Sequence, residues 1–127
     1  MAAPALLTAA LVARPAPLLP LWASEGAPWS RFERLTFESE SKLNRFHSQF
    51  APLLSSVQAN ESNMLSFAVL LSDEDPLSVL VLERYARSQA YFDGHCTTQA
   101  YLDFTPKLDR LQPNSSLSTY NELDIGF

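Results

Sequence analysis

The chain has 127 residues, a formal net charge of −5, and a composition that is 46% hydrophobic and 11% aromatic. That length suits one domain with a real core, and the apolar content excludes a disordered chain. The acidic balance leaves no basic stripe, which argues against nucleic acid or an anionic membrane surface as partner and for a small apolar or neutral ligand.

Residues 1–30 are rich in Ala, Leu and Pro and are expected to form an N-terminal extension preceding a domain over 31–127. Within the extension, Ala5 to Ala13 is apolar, but the first charge, Arg14, follows the run instead of preceding it as in a secretory leader. The run is also shorter than the roughly 20 residues of a membrane helix. An edge strand over Leu6 to Ala13 is expected, then a Pro-rich arm carrying Trp22 and Trp29, whose rings cover apolar surface.

Phe32 to Phe37 alternates apolar and polar residues, which predicts the first strand of the domain. Ser39 or Ser41 then caps a helix whose apolar stripe is Leu43, Phe46, His47, Phe50, Leu53, Leu54 and Val57. Met64 to Leu71 and Ser78 to Tyr85 read as strands joined into a hairpin by the turn-forming Ser72-Asp73-Glu74-Asp75-Pro76. Ser88 is a plausible N-cap for a second helix carrying Phe92, His95 and Cys96, continued by Tyr101, Phe104, Leu108 and Leu111. Pro106 lacks a donor and disfavours helix at Thr105, so a kink or a fresh start is predicted there. After a loop at Gln112 to Ser115, a last strand is expected over Ser116 to Ile125.

Strand, helix, strand, strand, helix, strand is the order of an α+β, ferredoxin-like βαββαβ fold, a four-stranded antiparallel sheet with both helices on one face. The other face is left bare, so a homodimer is expected to cover it.

Three motifs fall on these elements: Leu82-Glu83-Arg84-Tyr85 at the end of the hairpin, Phe92-Asp93-Gly94-His95, and Tyr101-x-x-Phe104. With them, the stretch from about Arg34 to Phe127 resembles the antibiotic-biosynthesis monooxygenase domain of the dimeric α/β-barrel proteins. The ending Tyr120-Asn121-Glu122-Leu123-Asp124-Ile125-Gly126-Phe127 is similar to fungal members. The resemblance implies a substrate pocket between sheet and helices and four kinds of relative. One oxidises anthrones or quinols of aromatic polyketides with molecular oxygen and neither metal nor flavin. A second degrades haem, and the places of its asparagine, tryptophan and ligating histidine hold Glu33, His95 and Thr105 here. A third comprises cofactor-free cyclases, whose tyrosine and histidine correspond to Phe92 and Thr98. The fourth has no demonstrated activity.

His95 is the candidate general base, since an imidazole in an apolar pocket stays neutral and can take a proton from a phenol or activated methylene. The alternative is a structural histidine bonded to a carbonyl. For His47, at the edge of a core stripe, the structural reading is favoured. Glu83 and Tyr85 share one side of their strand and are candidates to orient a substrate hydroxyl or to hold His95 in one tautomer; Arg84 points the other way. Glu33 offers a second carboxylate on a neighbouring strand, with a solvated edge as the alternative. Phe67, Tyr91, Phe92, Tyr101, Phe104 and Trp29 are read as core or pocket wall. Cys96 has no triad around it and reads as a small buried hydrophobe; a lone cysteine also fits a reducing compartment, here the cytoplasm. Two distant histidines and one cysteine give no metal-ligand spacing, and no glycine-rich cofactor loop is present. The expected function is therefore cofactor-independent oxidation of an anthrone- or quinol-like substrate by oxygen. The alternatives are cofactor-free cyclase, dehydratase, decarboxylase or isomerase chemistry, or non-catalytic binding of a small molecule.

Overall fold

A computed structural model of the protein describes residues 27–123. The strand expected over Leu6 to Ala13, the arm with Trp22, and the chain beyond Leu123 lie outside them. The elements are β1 (Trp29–Thr36), α1 (Glu40–Asn60), β2 (Met64–Leu71), β3 (Ser78–Tyr85), α2 (Gln99–Leu111) and β4 (Asn114–Asn121). The sheet order is β2-β3-β1-β4, and every neighbouring pair is antiparallel, which is the ferredoxin-like arrangement.

Pleating sorts the strands into two faces. Trp29, Arg31, Glu33 and Leu35 of β1 are all buried, as are Val79, Val81, Glu83 and Tyr85 of β3, and the two sets pair directly, Arg31 opposite Glu83 and Trp29 opposite Tyr85. The helices cover this face. From α1 come Leu43, Phe46, Phe50, Leu53 and Val57, and from α2 Phe104, Leu108 and Leu111, which join Leu35, Val79 and Val81 in one apolar cluster. The α1 start follows from Ser39, whose hydroxyl accepts from the Lys42 amide.

Several boundaries differ from expectation. β1 begins at Trp29 instead of Phe32, because the Glu122 amide donates to the Pro28 carbonyl and carries the pairing to the end of β4. β4 begins at Asn114, where a loop was expected, since Asn114 already pairs with Thr36. No continuous helix runs from Ser88: Ala90–Gly94 is a π turn, His95–Thr97 a 3-10 turn, and Thr98 then adopts extended geometry and caps α2, accepting from the Tyr101 amide. The break thus precedes α2 and is absent at Pro106, which sits inside the helix on its exposed side. There the lost bond faces water, while Phe104 and Leu108 hold the inner side.

The opposite sheet face has no covering element among the described residues. It carries Phe32, Leu80 and Leu82, half-buried, and the exposed Leu70 and Tyr120, with a shallow groove between Phe32, Leu80 and Tyr120. Among the described residues no helix is long and apolar enough to cross a membrane.

Candidate active site

Apolar core fills most of the space between sheet and helices, but at one end the inward positions of β1 and β3 turn polar. Arg31 is buried at 4% exposure with two carboxylates, and its Nη1 donates to Glu83 Oε2 at 2.7 Å and to Glu33 Oε1 at 3.3 Å. Cross-strand pairing sets this contact, because Arg31 and Glu83 are register partners and Glu33 is the next inward residue of β1. The second oxygen of each carboxylate is also engaged: Ser115 of β4 donates to Glu33 Oε2 at 2.7 Å, and the Tyr85 hydroxyl donates to Glu83 Oε1. The Tyr91 ring lies against the guanidinium, 4.9 Å from its carbon.

His95 enters the same space from the 3-10 turn. Its Nδ1 stands 2.9 Å from Glu61 Oε1, at the end of α1. A carboxylate can only accept there, so Nδ1 carries the hydrogen, and in the neutral ring Nε2 is the acceptor. Nε2 lies 3.8 Å from Oε1 of Glu83, which also lines the cleft, beyond hydrogen-bonding distance. The ring is clamped edge-on between Phe67 and Tyr101, with centroids at 5.8 and 5.0 Å.

These groups form the polar end of a cleft whose apolar wall includes Phe46, Phe50, Phe67, Val81 and Phe104. The cleft is partly open, with a cavity volume of about 30 Å³. That is room for about two waters.

Burial would push the Arg31 guanidinium towards losing its proton, but the Glu83 and Glu33 carboxylates more than reverse this, so it stays charged. Burial raises Glu33 above the usual carboxylate range, opposed in part by Arg31 and Ser115. Tyr85 is raised by burial and then by the adjacent Glu83 charge; burial also raises Tyr91, with Arg31 opposing. Both tyrosines therefore remain protonated, as donors and not as bases. The Glu33 shift has a consequence for folding. A carboxyl whose pKa is higher folded than unfolded binds protons more tightly when folded, so its contribution to stability falls as pH rises from the ordinary value of 4.5 through the raised one. Glu33→Gln is expected to remove that part of the slope, read as the difference between the two proteins' urea-unfolding free energies across that pH window.

Of the residues singled out from sequence, His95, Glu83, Glu33, Phe67, Tyr101 and Phe104 line the cleft. Tyr85 is fully buried behind Glu83 and reaches the cleft only through it. Trp29 packs with Tyr85, Tyr91 and Phe92 in a separate cluster, so these three candidates for core or pocket wall, Trp29, Tyr91 and Phe92, belong to core, and the π turn in place of a helix buries Tyr91 more deeply than Phe92. His47 is exposed on α1, away from the cleft, which corrects its placement on the apolar stripe. The solvated-edge alternative for Glu33 is overturned too: its strand is central and its side chain is 5% exposed. Arg84 does lie on the other face, where it holds Glu122 with two hydrogen bonds. Cys96 is half-buried beside Tyr91, and burial raises its thiol, as suits an inert cysteine. Arg31 and Glu61 were missed. Extending the alternation of Phe32 to Phe37 back by one inward position would have found Arg31; nothing in the sequence pairs Glu61 with His95.

The fold defines a class: small ferredoxin-like α+β domains, here with a polar-ended cleft between sheet and helices. The antibiotic biosynthesis monooxygenase family matches over residues 34–107, more than half of the chain, and the protein belongs to that family. Solved structures agree on the fold. A Caulobacter crescentus protein named for the same monooxygenases superposes with a TM-score of 0.71 at 19% identity, covering 79% of this chain and 93% of that one. A Nitrosomonas europaea protein of the same designation gives 0.68 at 17%, covering 80% and 96%. A conserved Methanosarcina mazei protein gives 0.67 at 15%, covering 77% and 95%. No curated protein matches significantly.

Proposed function

We propose that the protein is a cofactor-independent monooxygenase that oxidises an anthrone- or quinol-like aromatic, an intermediate of polyketide-type metabolism, to a quinone. The observation that carries this reading is the Glu61–His95 pair, which leaves Nε2 as an acceptor at the polar end of an aromatic-walled cleft. In the proposed sequence, written for an anthrone, Nε2 takes the acidic proton, from the activated methylene or from the hydroxyl of the enol tautomer, and the delocalised carbanion gives one electron to oxygen. The substrate radical and superoxide combine into a peroxide, which takes the proton back from His95. Loss of water then leaves the new carbonyl, so one oxygen atom enters product and the other leaves as water. The chain's contribution is orientation, exclusion of water and one positioned base.

The cleft has room for about two waters, too little for a tricyclic ligand, so it must widen to bind one. A second copy on the opposite face would cover Leu80, Leu82 and Tyr120 and complete a homodimer working without metal or flavin, and we place it in the cytoplasm.

The test is anthrone turnover by metal-stripped protein with and without oxygen, against the uncatalysed rate. Quinone formed above background only in air is expected. Turnover of a polyketide precursor that persists without oxygen would replace this reading with cyclase or isomerase chemistry at the same base.

A further inference from the structure

Charge balance at the polar end points to what the cleft accepts. Arg31 is its cation, and it already serves Glu83 and Glu33 at 2.7 and 3.3 Å, one positive charge against two carboxyl groups. Its Nε is buried without a hydrogen-bond partner among the described residues, out of contact with solvent. All four carboxylate oxygens of Glu33 and Glu83 have donors from Arg31, Ser115 or Tyr85. A third carboxylate, Glu61, stands behind His95. With His95 neutral the wall carries no net positive charge, and among these atoms its Nε2 is the acceptor left without a donor at hydrogen-bonding distance. An anionic ligand head would be desolvated against carboxylates with no free cation to receive it, whereas a neutral hydroxyl could donate to Nε2.

We propose that this cleft selects planar aromatic ligands bearing a neutral hydroxyl and rejects aromatic carboxylates. Ionisation of the ligand then follows binding, by transfer to His95, instead of preceding it. The inference rests on the proposed function in placing the ligand at His95, but it concerns binding and can be tested apart from turnover.

Three probes of one shape separate its parts: 2-naphthol, neutral with a donor; 2-methoxynaphthalene, neutral without one; and 2-naphthoate, an anion. Their dissociation constants for the full chain at neutral pH are measured by ligand-observed NMR. Naphthol is expected to bind tighter than naphthoate by about tenfold or more, and tighter than the methyl ether. Naphthoate binding as tightly as naphthol, the ether matching it, or no binding by naphthol up to its solubility each overturns the proposal. Glu83→Gln, or Glu33→Gln if the first does not fold, is expected to narrow the gap between naphthol and naphthoate by removing a negative charge. An unchanged gap in a folded variant would overturn the charge argument. If anthrone is not oxidised while the probe ranking holds, the oxygenase reading fails and the charge selection stands.

Discussion

His95→Ala is expected to lower oxygen-dependent turnover by about 10²–10⁴-fold, the range a positioned general base contributes, while 2-naphthol, with no Nε2 to accept its hydroxyl, binds no tighter than 2-methoxynaphthalene. The size follows from geometry: Nε2 is the acceptor of the cleft, and its availability depends on Nδ1–H being held by Glu61 at 2.9 Å. Removing the ring also takes away its edge contacts with Phe67 and Tyr101, so folding has to be checked by circular dichroism. His95→Gln keeps more of the volume and serves as the control for packing. Glu61→Gln is expected to fall between wild type and His95→Ala, because an amide oxygen still accepts the Nδ1 hydrogen but supplies no charge for the imidazolium formed in the reaction. If both His95 variants fold and turn over at the wild-type rate, His95 is a structural histidine tied to the end of α1, and the base lies elsewhere.

The second large effect concerns stability. Arg31→Met would leave Glu33 and Glu83 facing each other in the core with no counter-charge. Breaking a buried ion pair in this one-sided way costs about 3–5 kcal/mol. Urea unfolding should show it as a lower midpoint at unchanged slope. The variant Arg31→Met with Glu83→Gln is expected to recover much of that loss, because both members of the closest pair are then neutral. A loss under about 1 kcal/mol for Arg31→Met, within the range of ordinary surface changes, would mean that water reaches these carboxylates and that the network is not the dry, charge-balanced cluster described above. The same outcome would weaken the case for rejection of anionic ligands, which depends on that dryness.

Local pattern made most of the fold legible. The alternation of Phe32 to Phe37, the α1 stripe from Leu43 to Val57 and the hairpin around Asp73 to Pro76 each report a periodicity that a half-buried element must have, so element type and order follow from the chain alone. That Glu83 and Tyr85 share one side of β3 was equally legible from the pleat, and the structure turns that side inward with Val79 and Val81. His95 and Glu83 could be nominated for the same reason, as polar residues in places where burial demands a partner.

The partners themselves are long-range facts. Arg31 meets Glu83 across 52 positions, Ser115 meets Glu33 across 82, and His95 meets Glu61 across 34. No window of sequence contains such pairs; strand order and the return of α1 to the sheet create them. The π and 3-10 turns before α2 were hidden likewise, because Phe92, His95 and Cys96 also fit ordinary helical spacing, and only the packing of Tyr91 against Arg31 and Trp29 selects the other geometry. Pro106 shows the converse. Its local preference against helix is real, but it costs one bond on the solvent side, while Phe104, Leu108 and Leu111 anchor the helix to the sheet on the other. Propensity is a matter of about 3 kcal/mol at a single position, and three buried side chains at roughly 1.5–3 kcal/mol each outweigh it. The sequence by itself determined the main strands and helices and their order; the tertiary structure decided which residues around the site face inward and which charges meet, because that depends on distances between segments the chain brings together only when it folds.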